Sequence, residues 1–375
     1  MKKVYLDNAS TTQIYPEVIT EMTKVLTETY GNPSSSHAIG REAKNILELS
    51  RKSIAKIINC NAHEIIFTSC ATEANNLILQ SAVKNLGIQR IITSKMEHHA
   101  VLHTVEILQT THDLKVDYVA IKPDGTIDYS DLEELLSQNG KTLVSLMQVN
   151  NEIGTVLNLE KVVQLCKNTN ALFHTDAVQG IGKTKIDLTH LPIDFLVASA
   201  HKFHGPKGVG FAFIRKNIIL QPLIFGGEQE KGVRAGTESL HNIAGMAKAL
   251  EITVANHEID KTHIRDLKNY LLEKIKSNFP DCHFAGNPEN TQHNIVNVIL
   301  PFDESKAGMI VFLMDMHGIA ISRGSACQSG SSKPSHVLET FIANELLKRP
   351  NIRISLSKYN TFEDIDLAIE ALKKI

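Results

Sequence analysis

Residues 194–214, DFLVASAHKFHGPKGVGFAFI, place a lysine where lysines are seldom found. The stretch reads as two short strands, 195–198 and 210–214, joined by a polar turn with Gly205, Pro206 and Gly208 as punctuation. Lys202 closes the first strand among small residues and two histidines. An amine held partly out of water loses some of its preference for the charged form. It can then attack a carbonyl, which is the chemistry of Schiff-base lysines. The plain alternative is a surface turn with one ordinary lysine, and residues elsewhere decide between the two.

Other strand ends carry residues that suit the same ligand. The strand 64–68 (EIIFT) runs through Ser69, Cys70 and Ala71 to Thr72 and an apolar run of helical spacing. A helix N-terminus offers free N–H groups and a positive dipole end to an anion, although Thr72 also reads as a plain N-cap. His98 follows the strand 90–94 and can stack on a flat ligand. His99 and His103 have a zinc-like spacing, but without HExxH and a third ligand no metal site is expected. The strand 142–149 ends at Asn151, and 171–175 ends at Asp176 with Gln179 shortly after. Residues 180–184, GIGKT, resemble a nucleotide P-loop; the first required glycine falls at Ala177 and a strand rather than a helix follows, so that reading is rejected. Ligands of open α/β sheets collect at the carboxyl ends of strands. Thr72, His98, Asn151, Asp176, Gln179, Ser199, His201 and Lys202 together suit a carbonyl on a phosphorylated, nitrogen-containing aromatic ring. The lysine forms the imine, and a carboxylate such as Asp176 keeps the ring nitrogen protonated so that the ring accepts electrons.

The elements that must hold these residues alternate between strand and helix. Helices are expected after Pro16 and over 40–58, 129–136, 159–169 and 239–255. The alternation predicts an α/β fold with a mostly parallel central sheet and helices on both faces. A polar glycine-rich loop, 225–238, is too long to be a mere turn. A smaller α+β domain is expected from 258 to 375. It comprises a helix at 265–279, strands around 292–300 and 319–321, a helix near 307–316, a loop at 322–335, a strand at 351–355 and a last helix at 362–374. The large domain is then 1–257, with about the first 15 residues packing with the small one. With 375 residues, 42% hydrophobic and 21% charged, the chain is ordinary for a globular protein. A net charge of −2 gives no basic footprint for nucleic acid and no polybasic membrane anchor. Five cysteines without a CxxC pair fit a reducing compartment. No apolar stretch matches a signal-peptide core or a membrane span, so a cytoplasmic setting is expected.

Taken together, YLDNASTT (5–12), YGNPSSSH (30–37), FTSCATEANN (67–76), EHHAVL (97–102), NNEIG (150–154), HTDAVQ (174–179), SAHKFHGPKG (199–208), RAGTE (234–238), RGSAC (323–327) and NIRISL (351–356) carry a resemblance along nearly the whole chain. The sequence resembles the pyridoxal-phosphate enzymes of aminotransferase class V, and among them the cysteine desulfurases that feed iron–sulfur cluster assembly. The resemblance implies the fold type I architecture of pyridoxal-phosphate transferases and pyridoxal 5′-phosphate as cofactor. It implies Lys202 as the Schiff-base lysine, Asp176 on the pyridinium nitrogen, Gln179 on the ring hydroxyl, and His98 stacked on the ring and active in proton transfer. Thr72, Ser199 and His201 would hold the phosphate, with Thr237 reaching it across a homodimer interface. Asn151 and Arg353 would hold the carboxylate of L-cysteine, a contact for which arginine's planar fork is suited. Cys327 would take the sulfur as a persulfide and pass it to an acceptor protein. Its loop is rich in small residues, unlike the apolar run around Cys166, and is expected to be exposed and mobile. The thiolate is the competent nucleophile, and Arg323 or Lys333 would favour it.

Three positions depart from the family's usual glycines: Cys70, read as a small buried residue with a second reactive thiol as the alternative, Glu228 and Ser357. The sequence ends at Ile375, where longer members carry an extension that helps dock the cluster scaffold. A carrier or tRNA-thiolation protein is therefore an equally allowed acceptor. The rival readings are a selenocysteine lyase or another class V enzyme, and a non-catalytic binding subunit.

Overall fold

A computed structural model of the chain describes residues 2–324 and 334–375. Cys327 and Lys333 lie outside the described residues. In chain order the elements are β1 (Val4–Tyr5), α1 (Pro16–Glu28), α2 (Ala38–Ile57), β2 (Ile65–Thr68), α3 (Ala71–Lys84), β3 (Arg90–Thr93), α4 (His99–Thr111) and β4 (Lys115–Tyr118). Then come α5 (Tyr129–Leu136), β5 (Thr142–Ser145), α6 (Leu159–Thr169), β6 (Leu172–Asp176), β7 (Phe195–Ser199), β8 (Gly210–Ile214), α7 (Leu240–Ala255) and α8 (His257–Asn278). The chain finishes with β9 (His283–Phe284), β10 (Ile295–Ile299), α9 (Ile310–Met316), β11 (Ile319–Ala320), α10 (Asn344–Leu347), β12 (Asn351–Ser355) and α11 (Phe362–Lys373).

A seven-stranded sheet has the order β2-β8-β7-β6-β5-β3-β4. Strands β4, β3, β5, β6 and β7 pair in parallel, and only β8 runs against its neighbours β7 and β2. Strand period divides the apolar residues between two cores. Phe67, Ile92, Val144, Phe173 and Leu196 pack on the face covered by α1, α2 and α7. Ile66, Ile91, Leu143, Phe195 and Val197 pack on the face covered by α3 and α4. Burial on both faces explains why these strands read as continuous apolar runs. The parallel strands bring Thr93, Ser145, Asp176 and Ser199 to one edge of the sheet.

A separate apolar core joins α8, β10, β12 and α11, and takes in Val4 and Leu6 from the N-terminus. There β12, β10 and β9 form an antiparallel sheet, and β1 pairs in parallel with β11. Helix α8 and strand β5 differ most in extent from the sequence-based expectation, and the short β9 and α10 lie outside it. Helix α8 begins at His257 rather than 265. Its first two turns carry one apolar residue, the exposed Ile259, and lack the apolar spacing that starts at Ile264, but no breaker prevents the helix from starting early. Strand β5 stops at Ser145 rather than 149. The chain beyond it still follows β6, with Leu146 N–H bonded to His174 O and Gln148 N–H to Asp176 O, before Val149 bridges to Val156.

Candidate active site

At the carboxyl edge of the large sheet lies a cavity of about 270 Å³. Its walls come from the N-terminal segment, the start of α3, His98, the turn after β5, the ends of β6 and β7, and β12. Nine residues singled out from the sequence meet there: Thr72, His98, Asn151, Asp176, Gln179, Ser199, His201, Lys202 and Arg353. Thr237 is exposed and lines no part of it.

Asp176 ends β6 and is buried. One carboxylate oxygen accepts from Asn75 Nδ2 at 2.8 Å and the other from the N–H of Val178 at 3.0 Å. A carboxylate has about four acceptor sites, so two bonds fix its plane and leave it capacity to accept from the cavity. Asn75 was not among the residues singled out from the sequence. It sits one turn into α3, fully buried, and its Oδ1 has no hydrogen-bond partner. The sequence signal was present: an asparagine one helical turn after Ala71, on the helix face that also buries Ala74 and Ile78.

Lys202 stands in the 3₁₀ turn after β7, where its Nζ donates to the carbonyls of Ala9 and Ser10, both at 2.7 Å. Gln179 Nε2 also donates to Ala9 O, at 2.8 Å. The polar turn of the N-terminal segment thus reaches into the centre of the site. His98 caps α4, its Nδ1 accepting from the N–H of Ala100 at 3.0 Å. That bond places the proton of the neutral ring on Nε2. Burial lowers the affinity of His98 for a second proton, against the pull of Asp176. His201 contacts Thr11 Oγ1 through Nδ1 at 3.2 Å. Burial first, then the charge of Lys202, push it down to about 4, so it is a neutral hydrogen-bonding group at neutral pH.

Arg353, on β12, is buried. Its guanidinium donates to Asp7 Oδ1 at 2.8 Å, Ser10 Oγ at 2.7 Å and the backbone carbonyl of Asn151 at 2.8 Å, and its Nε has no partner. The guanidinium therefore already grips one carboxylate, that of Asp7, at the cavity wall.

Cys70 corrects the sequence reading. It is half-exposed and forms part of the cavity wall, not a buried filler. It is the N-cap of α3, and no side chain caps that helix. The uncapped first-turn N–H groups lie beside the Thr72 hydroxyl, Ser199 and His201, a donor set that suits a phosphate. The remaining donors and acceptors fit a flat ring: a buried carboxylate oriented by Asn75, an amide from Gln179, an imidazole face from His98 and an amine from Lys202. The residues present thus fit pyridoxal 5′-phosphate.

The aminotransferase class-V family matches residues 4–367 of the chain. The chain belongs to that family, whose members in this branch depend on pyridoxal phosphate. Among its relatives, the cysteine desulfurase IscS of Dictyoglomus turgidum (strain DSM 6724 / Z-1310) is 38% identical over 376 residues, covering 100% of this chain and 94% of that protein. A solved NifS-like protein superposes with a TM-score of 0.92 at 36% identity, covering 100% of this chain and 99% of that one. SspA, solved in complex with cysteine, gives a TM-score of 0.81 at 32% identity over 96% of this chain and 100% of that one. These matches set the chain among the cysteine desulfurases.

Proposed function

We propose that this site converts L-cysteine to L-alanine and transfers the sulfur to Cys327 as a persulfide. The observation that carries the reading is the convergence of a buried, oriented carboxylate (Asp176), an amine (Lys202) and an uncapped helix N-terminus (α3) on one cavity. When bound, pyridoxal phosphate supplies an electrophilic carbonyl and an electron-accepting ring. Asp176 would hold the ring nitrogen protonated, and Gln179 would donate to the ring oxygen. Thr72, Ser199, His201 and the N–H groups of α3 hold the phosphate. Lys202 anchors the cofactor and carries a proton on Nζ. His98 would stack on the ring, and its weak basicity suits a group that takes up and returns a proton. Arg353 and Asn151 hold the substrate carboxylate, with cysteine taking over at the guanidinium the place that Asp7 and Ser10 fill.

The thiolate of Cys327 attacks the substrate sulfur. The S–S bond forms as the C–S bond breaks, the electron pair stays with carbon, and a proton delivered there completes alanine. SspA, a relative solved with cysteine, supports this substrate.

Thr237 completes the phosphate site of a second copy in a homodimer. That role is supported by its exposure, away from this chain's cavity, and by the loop that bears it, where Phe225 is 84% exposed. The same loop is tied down by Arg234, which pairs with Glu73 at 2.9 Å. We take 1–257 as the cofactor-holding unit, with the start of the chain packing on the small one through Val4 and Leu6, and 258–375 as the unit bearing Cys327, a division supported by the separate apolar cores. The sulfur passes on to an iron–sulfur scaffold or sulfur-carrier protein in the cytoplasm. No helix among the described residues is long and apolar enough to cross a membrane.

The test is an absorbance spectrum of the purified protein, followed by L-cysteine with alanine and persulfide measured. A visible cofactor band, alanine formation and sulfur on Cys327 are expected. Cys327→Ser should form no persulfide and release little alanine without an added thiol. Alanine release at the wild-type rate from that variant would refute the persulfide route.

A further inference from the structure

The GIGKT stretch, which fails as a nucleotide loop, has another use in the fold. After β6 the chain makes two overlapping turns. Ala177 O accepts from the N–H groups of Gly180 (2.9 Å) and Ile181 (2.8 Å), and Gly180 O accepts from those of Lys183 and Thr184, both at 2.9 Å. Gly182 has φ +75°, a conformation that favours glycine. A Cβ on Gly180 would collide with the Gln148 amide, which donates to Thr184 Oγ1 at 2.7 Å. These constraints bend the turn back so that Lys183 reaches Gln179, four residues earlier. Its Nζ donates to Gln179 Oε1 at 3.0 Å.

An amide can point either way round, but its neighbours here allow only one orientation. An ammonium only donates and a backbone carbonyl only accepts. With Lys183 on Oε1 and Ala9 O on Nε2, the Gln179 amide cannot reverse without facing donor to donor and acceptor to acceptor. Its nitrogen keeps one further N–H, and Gln179 is buried in the cavity wall. We propose that Lys183 is a positioning residue that locks the Gln179 amide so that this N–H faces the ring oxygen of the bound cofactor. The inference rests on the cofactor reading above and adds the group that orients one of its contacts.

Lys183 faces one cation, Lys202, and three imidazoles that burial keeps neutral at neutral pH. Lys202, His201 and His204 face it from the segment after β7, and His293 from the turn before β10. Its own carbonyl bonds His257 Nε2 at 2.9 Å from α8. Burial, then Lys202, push its ammonium down to about 7. The neutral amine still donates to Gln179 Oε1, and the Ala9 carbonyl, which only accepts, still bars the reversed amide, so the orientation holds on both sides of that pH.

The experiment reads the pH midpoint of the visible cofactor band in the holoenzyme for Lys183→Met, Gln179→Ala and the double variant. A donor to the ring oxygen stabilises its deprotonated form, so losing it raises the midpoint, here by about one pH unit. Lys183→Met should shift the midpoint upward, Gln179→Ala should shift it the same way, and the double variant should go no further than Gln179→Ala alone. Lys183→Arg keeps a donor and should retain the wild-type midpoint. An unmoved midpoint in Lys183→Met, or an equal Lys183→Met shift in the Gln179→Ala background, would overturn the inference. If Lys183→Met does not fold, a Lys183→Arg variant that shifts the midpoint as far as Gln179→Ala overturns it equally. Failure of the cofactor reading is distinct: the wild-type protein would then form no visible band with pyridoxal phosphate.

Discussion

His174 precedes Asp176 by two residues on β6 and is fully buried against the sheet. Its Nδ1 contacts Ser145 Oγ at 2.8 Å, while Nε2 has no partner. Burial pushes its affinity for a proton down to about 3, from an ordinary 6.5. The unfolded chain therefore takes up this proton as pH falls below 6.5, while the folded chain refuses it until near 3. The stability His174 contributes is fully present above 6.5 and is lost progressively on acidification. Each pH unit in that window is worth ~1.4 kcal/mol per proton, so going from pH 7 to pH 5 costs about 2 kcal/mol through this one ring. His174→Asn removes the titration and keeps an amide near Ser145. Its own cost, about 1–3 kcal/mol from altered packing and hydrogen bonding, does not change with pH. Urea denaturation of the holoenzyme at both pH values should show the variant losing about 2 kcal/mol less than wild type on acidification. Equal pH dependence in the two proteins would mean that the buried ring is not held neutral, and the reasoning would fail.

Glu230 and Arg51 form a buried bidentate pair at 2.7 and 2.8 Å, and Glu230 also accepts from the N–H of Phe67. Glu230→Ala strands a buried guanidinium and should cost about 3–5 kcal/mol, read as a lower melting temperature; Arg51→Met/Glu230→Leu should regain much of it. Burial, and secondarily Asp176, hold the Glu97 carboxyl well above the ordinary range, so its stabilising share is present below about 4.5 and lost as pH rises. Glu97→Gln should therefore gain on wild type between pH 5 and pH 8, and a constant stability difference across that range would contradict the assignment. Arg353→Lys should raise KM for L-cysteine about tenfold to a hundredfold, the value of a charged hydrogen bond, with a smaller change in kcat; an unchanged KM would remove Arg353 from the substrate site.

The apolar pattern made the large sheet legible because its strands are buried on both faces and punctuated by polar turns. Strand ends are where chemistry collects in such sheets, so Lys202, Asp176 and His98 stand out by their place in the sequence pattern alone. The first turns of α8 are not legible because they are solvated and their one apolar residue, the exposed Ile259, has no periodic partner. The resemblance, not the spacing, brought Arg353 and Thr237 into consideration. They come from segments far along the chain, and no local pattern says that β12 reaches the same cavity.

Least legible were the contacts made by backbone atoms. Ala9 is a small apolar residue with nothing in its type to suggest function, yet its carbonyl accepts from both Lys202 and Gln179. Asp7 and Ser10, three residues apart in the same turn, both receive the Arg353 guanidinium. Tyr5 and Leu6 are held to the small core, since β1 pairs with β11 and Leu6 is buried there, while Tyr15 and Val18 are buried in the large one. The short turn between them is thus stretched across the two cores and can hardly shift without moving both. That tether explains how a polar segment at the edge of the chain can set the position of the central lysine. It also predicts that Leu6→Ala, a core truncation remote from the ligand and worth about 2–5 kcal/mol of stability, will weaken pyridoxal-phosphate binding as well as lower the melting temperature. Cofactor affinity equal to wild type in a folded Leu6→Ala protein would show that the small core does not set the place of Ala9.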